Sequence, residues 1–290
     1  LPFNRLGLIR SDEEHEPSFK QYDPAPRYHA RDVAFKLSKI HSCDVLMGSA
    51  TPSIETMLNS DNQVFKYVEL TKRFNNVLLP EIQCADLILA TRKKQMSGIY
   101  SSLLLNEIKE VLDRNEQVIL FQNRRGYAPK WLCETCGWKT MCKRCDVSLT
   151  YHKYPNTMNC HYCGYSIPVP KQCGACGSSS LKMAGFGTEK IEEELQELLG
   201  EKVRIQRMDL DTTRKKNAYH DIIQSFENRQ IDVLVGTQMV SKGLDFDHVA
   251  LVGILNADDM LYFPDFRAFE RSFQLMAQVS GRAGRKKKRG

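Results

Sequence analysis

The chain has 290 residues, 42% apolar and 26% charged, enough to bury one large core or two ordinary ones and too ordinary in charge content for global disorder. No apolar run is long enough to span a bilayer. The start, LPFNRLGLIRSDEEHE, has too short an apolar stretch, followed too soon by acids, to read as a signal peptide. It lacks Met and begins in mid-pattern, so it reads as a cut edge. The net charge of +6 is by itself weak support for a nucleic-acid partner. The C-terminal RKKKRG suits either phosphate contact or a solvated tail.

Leu6–Arg10 (LGLIR) is a short apolar run ending at an acidic cluster, the pattern of a buried strand whose end presents carboxylates. Residues 30–41 predict a helix with Val33, Leu37 and Ile40 on one face. Asp44–Met47 predicts a second buried strand, running into GSATPS, and these pieces suit a parallel sheet. A boundary is expected near residues 80–100, where ILATRKKQMSGIY is polar and without a clear period. Beyond it, helices are expected at Leu103–Leu112, Glu189–Leu199, Thr213–Phe226 and Phe266–Val279, and strands at Gln117–Phe121, Val203–Met208, Ile231–Val235 and Val249–Leu255. Residues 131–181 interrupt this second unit as a cysteine-rich insert. The alternation of strand and helix argues for a parallel sheet covered on both faces.

Four short motifs carry candidate chemistry. Asp12-Glu13-Glu14-His15 follows the first strand; ATP hydrolysis needs a carboxylate near Mg²⁺ and a base that orients water, although a solvated acidic turn looks the same in isolation. In Gly48-Ser49-Ala50-Thr51-Pro52-Ser53, small hydroxyl residues at a strand end can relay contacts from a nucleotide site, or simply cap the next helix. Gly236-Thr237-Gln238-Met239, followed by Ser241-Lys242-Gly243, suits phosphate contact or a tight turn. In Gln278-Val279-Ser280-Gly281-Arg282-Ala283-Gly284-Arg285, the two arginines fall on one side of a helical turn. Arginine suits the γ-phosphate charge of a transition state, and a basic helix end favoured by the macrodipole is the plainer reading.

Eight of the ten cysteines lie between residues 133 and 176, as Cys133-x₂-Cys136, Cys142-x₂-Cys145, Cys160-x₂-Cys163 and Cys173-x₂-Cys176. Four such pairs make two complete four-cysteine tetrahedral zinc sites, with no open position for catalysis. Gly137, Gly164, Gly174 and Gly177 follow cysteines, which suits tight knuckles. Val147–His152 alternates and is rich in β-formers, Tyr154-Pro155-Asn156 is a turn signal, and Thr157–Tyr162 can return as a partner strand. Such a hairpin brings Cys142, Cys145, Cys160 and Cys163 to one zinc, leaving Cys133, Cys136, Cys173 and Cys176 for the other. The competing arrangement joins the first pair to the second across five residues. Trp131, Trp138, Lys139, Arg144, Tyr151 and Tyr162 could stack on bases and grip phosphates, or serve as the core of a small zinc module. His29, His152 and His161 are not expected to bind metal, and Cys43 and Cys84 read as core residues.

In their order and spacing, DEEH, GSATPS, GTQM with KGLDF, and QVSGRAGR resemble motifs II, III, V and VI of superfamily 2 helicases, and FQNRRGY resembles the fourth-motif region. RYHARD at residues 27–32 and the cysteine insert directly after NRRGYAP are similar to the PriA family of bacterial replication-restart helicases, from about residue 3 to 285. The resemblance implies two RecA-like α/β lobes, the first truncated, in residues 1–90 and in 91–130 with 182–290. It implies a double zinc insert in the second lobe, with the same nesting of cysteine pairs.

For function, the resemblance implies a cytoplasmic enzyme coupling ATP and Mg²⁺ to 3′→5′ unwinding of forked DNA. Its partners would be primosome proteins, single-stranded-DNA-binding protein and the machinery that loads the replicative helicase. Asp12 would hold Mg²⁺, Glu13 would be the base, and His15, Ser49 and Thr51 would couple the site to DNA. Arg282 and Arg285, assisted by Gln278, would face the γ-phosphate. Asn123, Arg124, Thr237 and Lys242 would contact the DNA backbone. No Gly-x-x-x-x-Gly-Lys-Ser/Thr loop occurs in the sequence. The resemblance places the family's phosphate loop and its 3′-end-binding domain upstream of Leu1. A non-catalytic DNA-binding or primosome-assembly scaffold, and a double-stranded-DNA translocase, are the alternatives.

Overall fold

The structure, a computed structural model, describes residues 4–72, 76, 78–122, 130–145, 147–152, 156–160, 162–184, 188–209, 212–213, 217–241, 246–263 and 265–284. Packing divides the chain into two units, Leu1–Thr71 and Lys72–Gly290. The sequence-based boundary near residues 80–100 lies within the second of these. The stretch ILATRKKQMSGIY, polar and without a clear period in sequence, holds most of a short helix and a hairpin, each too brief to show a period.

In the first unit, β1 (Leu8–Asp12) pairs in parallel with β2 (Asp44–Gly48), setting Ile9 opposite Val45 and Asp12 opposite Gly48. Helix α1 (Ala30–His41) joins them. His29 caps it, its Nδ1 accepting from the Arg31 amide at 3.2 Å, and Ser42 ends it in a left-handed conformation. Helix α2 (Ile54–Asp61) starts at Ser53, whose hydroxyl accepts from the Thr56 amide. The predicted α1 stripe is only partly covered. Ala34 is buried and Val33 and Leu37 are half-buried, but Ile40 is exposed. Leu8 and Leu46, on one face of the strand pair, are exposed as well. The two strands and two helices described in this unit leave that face of the strand pair uncovered.

The second unit is built on four parallel strands in the order β11 (Ile205–Met208), β12 (Val233–Gly236), β5 (Gln117–Gln122), β13 (Val249–Leu255). Every residue of β5 is buried. Its side chains alternate between two cores. Val118 and Leu120 meet α4 (Ser102–Asp113) and α5 (Thr188–Leu199) on one face. Ile119 and Phe121 meet α6 (Ala218–Glu227) and α8 (Ala268–Ser280) on the other. A strand bonded on both edges and covered on both faces is apolar along its middle, which is why VILF reads as a continuous run, while the buried Gln117 amide donates to the Phe226 and Ile231 carbonyls.

Helix α6 begins at Ala218 rather than at the expected Thr213. Asn217 adopts a left-handed conformation before it, while the Thr213 hydroxyl bonds back to the Asp209 carbonyl at 2.6 Å. Ahead of the sheet, α3 (Leu87–Arg92) is capped by Asp86, which accepts from the amides of Ile88 and Leu89, both at 2.9 Å. A minimal hairpin, β3 (Met96–Ser97) with β4 (Tyr100–Ser101), then buries Tyr100 against α5.

The cysteine insert leaves the sheet after β5 on β6 (Lys130–Cys133) and returns on the antiparallel β10 (Leu181–Ala184), with Cys133 opposite Leu181. Inside this stem lie β7 (Thr150–His152), β8 (Thr157–Asn159) and β9 (Ser166–Pro168), a three-stranded antiparallel sheet in that order. The hairpin is the one the alternation predicts, with Tyr151 opposite Met158. The third strand is too short and too polar to have shown a period. Helix α7 (Ala257–Leu261) connects β13 to α8. Among the described residues no helix is long and apolar enough to cross a membrane.

Gly236 closes β12 where an added β-carbon would lie 2.2 Å from Val240 Cγ1 and 3.3 Å from the Met208 carbonyl oxygen. Gly236→Ala is therefore expected to destabilise the second unit by about 1–3 kcal/mol through overpacking. Urea unfolding is the measurement, and an unchanged midpoint would contradict the close approach.

Candidate active-site residues and metal centres

The loop after β1 carries the acidic motif. Asp12 is set by its pairing with Gly48, and its Oδ1 accepts from the Glu13 amide at 3.1 Å. The side chains of Asp12 and Glu13 are open to solvent. His15 is buried between two hydroxyls of the GSATPS loop. Its Nδ1 lies 2.7 Å from Ser49 Oγ and its Nε2 3.5 Å from Thr51 Oγ1. The same Ser49 oxygen accepts from the Thr51 amide at 3.0 Å. The capping that the sequence suggests is present, and the remaining hydroxyls of the loop contact His15. Ser53 caps α2, and Ser49 with Thr51 hold His15.

Glu14 is the residue the sequence reading passed over. It is 1% exposed. Its carboxylate accepts from the Ser53 amide at 2.7 Å, the Arg31 guanidinium at 2.9 Å, and the hydroxyls of Thr56 at 2.9 Å and Ser53 at 3.1 Å. Burial alone would raise its carboxyl pKa. The Ser53 amide, Arg31 and Thr56 outweigh burial and hold it below the ordinary value. Arg31 had entered only as part of RYHARD. Three carboxylates of one charge-rich motif look alike in sequence, and only packing separates the buried Glu14 from the open Asp12 and Glu13.

In the second unit, Thr237 is buried at the carboxyl end of β12, its amide donating to the Met208 carbonyl at 3.4 Å. Gln278 lies in the last turns of α8. The expectation that Arg282 and Arg285 share one side of a helical turn does not hold for Arg282. The helix stops at Ser280, with Gly281 as its cap, and Arg282 lies in the following turn, buried. The Gly284 amide ties that turn to the Val249 carbonyl at the amino end of β13, the sheet edge opposite Thr237. Asn123, Arg124, Lys242 and Arg285 lie outside the described residues.

The eight insert cysteines form two groups, Cys133 with Cys136, Cys173 and Cys176, and Cys142 with Cys145, Cys160 and Cys163. Within each group the sulfurs lie within 4.8 Å of one another. The closer Sγ pairs are 3.7 Å (Cys133 and Cys176), 3.5 Å (Cys136 and Cys173) and 3.6 Å (Cys142 and Cys163) apart. Tetrahedral zinc with bonds of about 2.3 Å needs sulfurs about 3.8 Å apart, so both groups fit the ion.

The knuckles are repeated. Gly137, Gly164 and Gly177 each take positive φ and donate their amides to the carbonyls of Cys133, Cys160 and Cys173. At Cys173, burial opposes the thiolate, while the amides of Cys176 and Ala175 point at the sulfur and lower its pKa overall. Gly174 serves another purpose. An added β-carbon there would lie 2.7 Å from Trp138, which packs over it.

The insert's aromatic and basic residues are largely engaged in packing. Trp131 lies against Tyr151 and donates its indole N–H to the Pro170 carbonyl at 3.2 Å. Lys139 sits 3.9 Å from the centre of the Tyr262 ring and 3.7 Å from Asp258. The Tyr162 hydroxyl accepts from the Phe266 amide at 3.2 Å, and Ser148 donates to the Tyr262 carbonyl. The insert is thus braced on α7 and the start of α8. His29 is a helix cap, and the described clusters able to hold metal contain only cysteines. Cys43 is half-buried, but Cys84 is exposed in an extended stretch rather than in a core.

The family described as the PriA DNA helicase Cys-rich region domain matches residues 142–168, and the helicase conserved C-terminal domain matches residues 183–287. The chain is similar over its whole length to the replication restart protein PriA of Bacillus subtilis, at 44% identity over 289 residues. It is 41% identical to the PriA of Haemophilus influenzae and 42% identical to that of Chlamydia pneumoniae, over 99% and 98% of this chain. It spans 36%, 39% and 38% of the length of those three relatives.

Zinc analysis of the purified chain is expected to return two ions per molecule. Cys160→Ser should lose one and keep the other. Loss of both, or anomalous density showing Cys136 and Cys142 on one ion, would contradict the nested grouping.

Proposed function

Because this chain belongs to the PriA family, we propose that it is part of an ATP-driven 3′→5′ DNA helicase that restarts stalled replication forks in the bacterial cytoplasm. The observation that carries the reading is the joining of the acidic loop to the GSATPS loop through His15, Ser49 and Thr51. A nucleotide-driven motor needs its hydrolytic residues in contact with a segment that can pass on their state, and a buried imidazole between two hydroxyls is suited to that.

In this reading Asp12 binds Mg²⁺, and Glu13 orients water and accepts its proton. Ser49 and Thr51 respond through His15. Arg282 and Arg285 meet charge on the γ-phosphate, with Gln278 assisting. Asn123, Arg124, Thr237 and Lys242 take the DNA backbone. The two zinc ions, held by Cys133, Cys136, Cys173 and Cys176 and by Cys142, Cys145, Cys160 and Cys163, supply structure, since all four positions of each are filled. Forked DNA, primosome proteins, single-stranded-DNA-binding protein and the loading machinery of the replicative helicase are the partners.

Glu13→Gln in the full-length protein is expected to abolish DNA-stimulated ATP hydrolysis while ATP binding survives, because the amide cannot accept the proton. Steady-state turnover and nucleotide binding on the same variant test this, and near-normal turnover would remove Glu13 from the role. A strand-separation assay run beside the ATPase distinguishes unwinding from translocation along duplex DNA and from a scaffold without turnover. Arg282→Ala should lower kcat by about 10³-fold or more while ATP affinity changes little, since the guanidinium acts on transition-state charge. A change confined to KM would count against it.

A further inference from the structure

Glu13 is a non-glycine residue at φ +50, in the left-handed region that a β-carbon disfavours. The residues on either side of it are both fixed. Asp12 is the last residue of β1, paired with Gly48. Glu14 donates its amide to the Gly48 carbonyl at 3.2 Å, and its buried carboxylate is held by groups from two helices. Arg31 reaches it from the first turn of α1 at 2.9 Å, and the Ser53 amide and Thr56 hydroxyl reach it from the start of α2 at 2.7 and 2.9 Å. The Arg31 nitrogen that meets Glu14 also lies 2.6 Å from Ser53 Oγ. With Asp12 in register with Gly48 and the Glu14 amide bonded to the Gly48 carbonyl, the one residue between them is taken up at positive φ. Unfavourable backbone conformations persist where the surroundings over-determine them.

We propose that Arg31 and Glu14 are positioning residues of the hydrolytic site, locking the one-residue turn that aims the Glu13 carboxylate. A buried ion pair is a poor stabiliser compared with apolar packing, so its use here suits a requirement of geometry. Ser53 and Thr56 follow directly on the loop that holds His15. The lock therefore fixes Glu13 and the GSATPS segment in one arrangement. This rests on the reading in which Glu13 is the base.

The test compares Arg31→Met, Arg31→Lys and Glu14→Gln with Glu13→Gln in the full-length protein. The readouts are kcat and KM for ATP with single-stranded DNA, equilibrium ATP affinity, and thermal unfolding. Arg31→Met and Glu14→Gln are expected to lower kcat by about a hundred-fold, the order of loss from misplacing a reacting group, with ATP affinity within about two-fold. Arg31→Lys, which keeps the charge but not the fork, is expected to recover part of the rate. If Arg31→Met fails to fold, Glu14→Gln, which is isosteric, decides alone. Wild-type turnover in the folded variants, or a loss carried by ATP affinity with kcat intact, would overturn the positioning role. Turnover surviving in Glu13→Gln would instead remove the base assignment, so the two failures are separable.

Discussion

Strand β5 is the constraint from which the second unit is organised. It is bonded on one side to β12 and on the other to β13, and each of its residues is buried. Such a strand has no freedom to slide, because a one-residue shift would exchange Val118 and Leu120 with Ile119 and Phe121 between two differently shaped cores. Strand β12, fixed beside it, presents Gly236 and Thr237. Chemistry mounted on strand ends is held by the interior rather than by the loop itself.

The first unit reaches a comparable result by other means. Among its described residues two strands pair, and polar bonds hold the acidic loop. His15 joins the loop to Ser49 and Thr51, and Glu14 joins it to Arg31, Ser53 and Thr56. Buried polar contacts are directional, so they fix angles as well as distances, which apolar contact alone does less well.

Much of this was legible in the sequence where a physical period was strong. β13 spans Val249–Leu255, the run the sequence suggests, and the hairpin around Tyr151 and Met158 follows from alternation. Local chemistry that leaves no period was not legible. Asn217 delays α6, Gly281 ends α8 before Arg282, and Asp86 starts a helix of six residues in a stretch that looks featureless. The division of labour inside DEEH was hidden for a different reason. Whether a carboxylate is open or buried depends on Arg31 and Thr56, seventeen and forty-two residues away from Glu14. The cysteine spacing announced metal, but the bracing of Lys139 on Asp258 of α7 and on Tyr262 at its cap left no trace in it.

The antiparallel stem of the insert has a consequence for the order in which the chain can fold. β5 must find β12 and β13 across a long intervening segment, and the entropy of closing a loop rises with its length. The insert begins and ends on paired strands, with Cys133 opposite Leu181. Its inner hairpin is local, and zinc can close both knuckle groups without help from the sheet. Once it has formed, β5 and α5 are separated by the stem and the short segments that flank it. By loop-closure entropy alone, a closed insert leaves β5 and β12 a shorter loop to close than an open one of the same sequence.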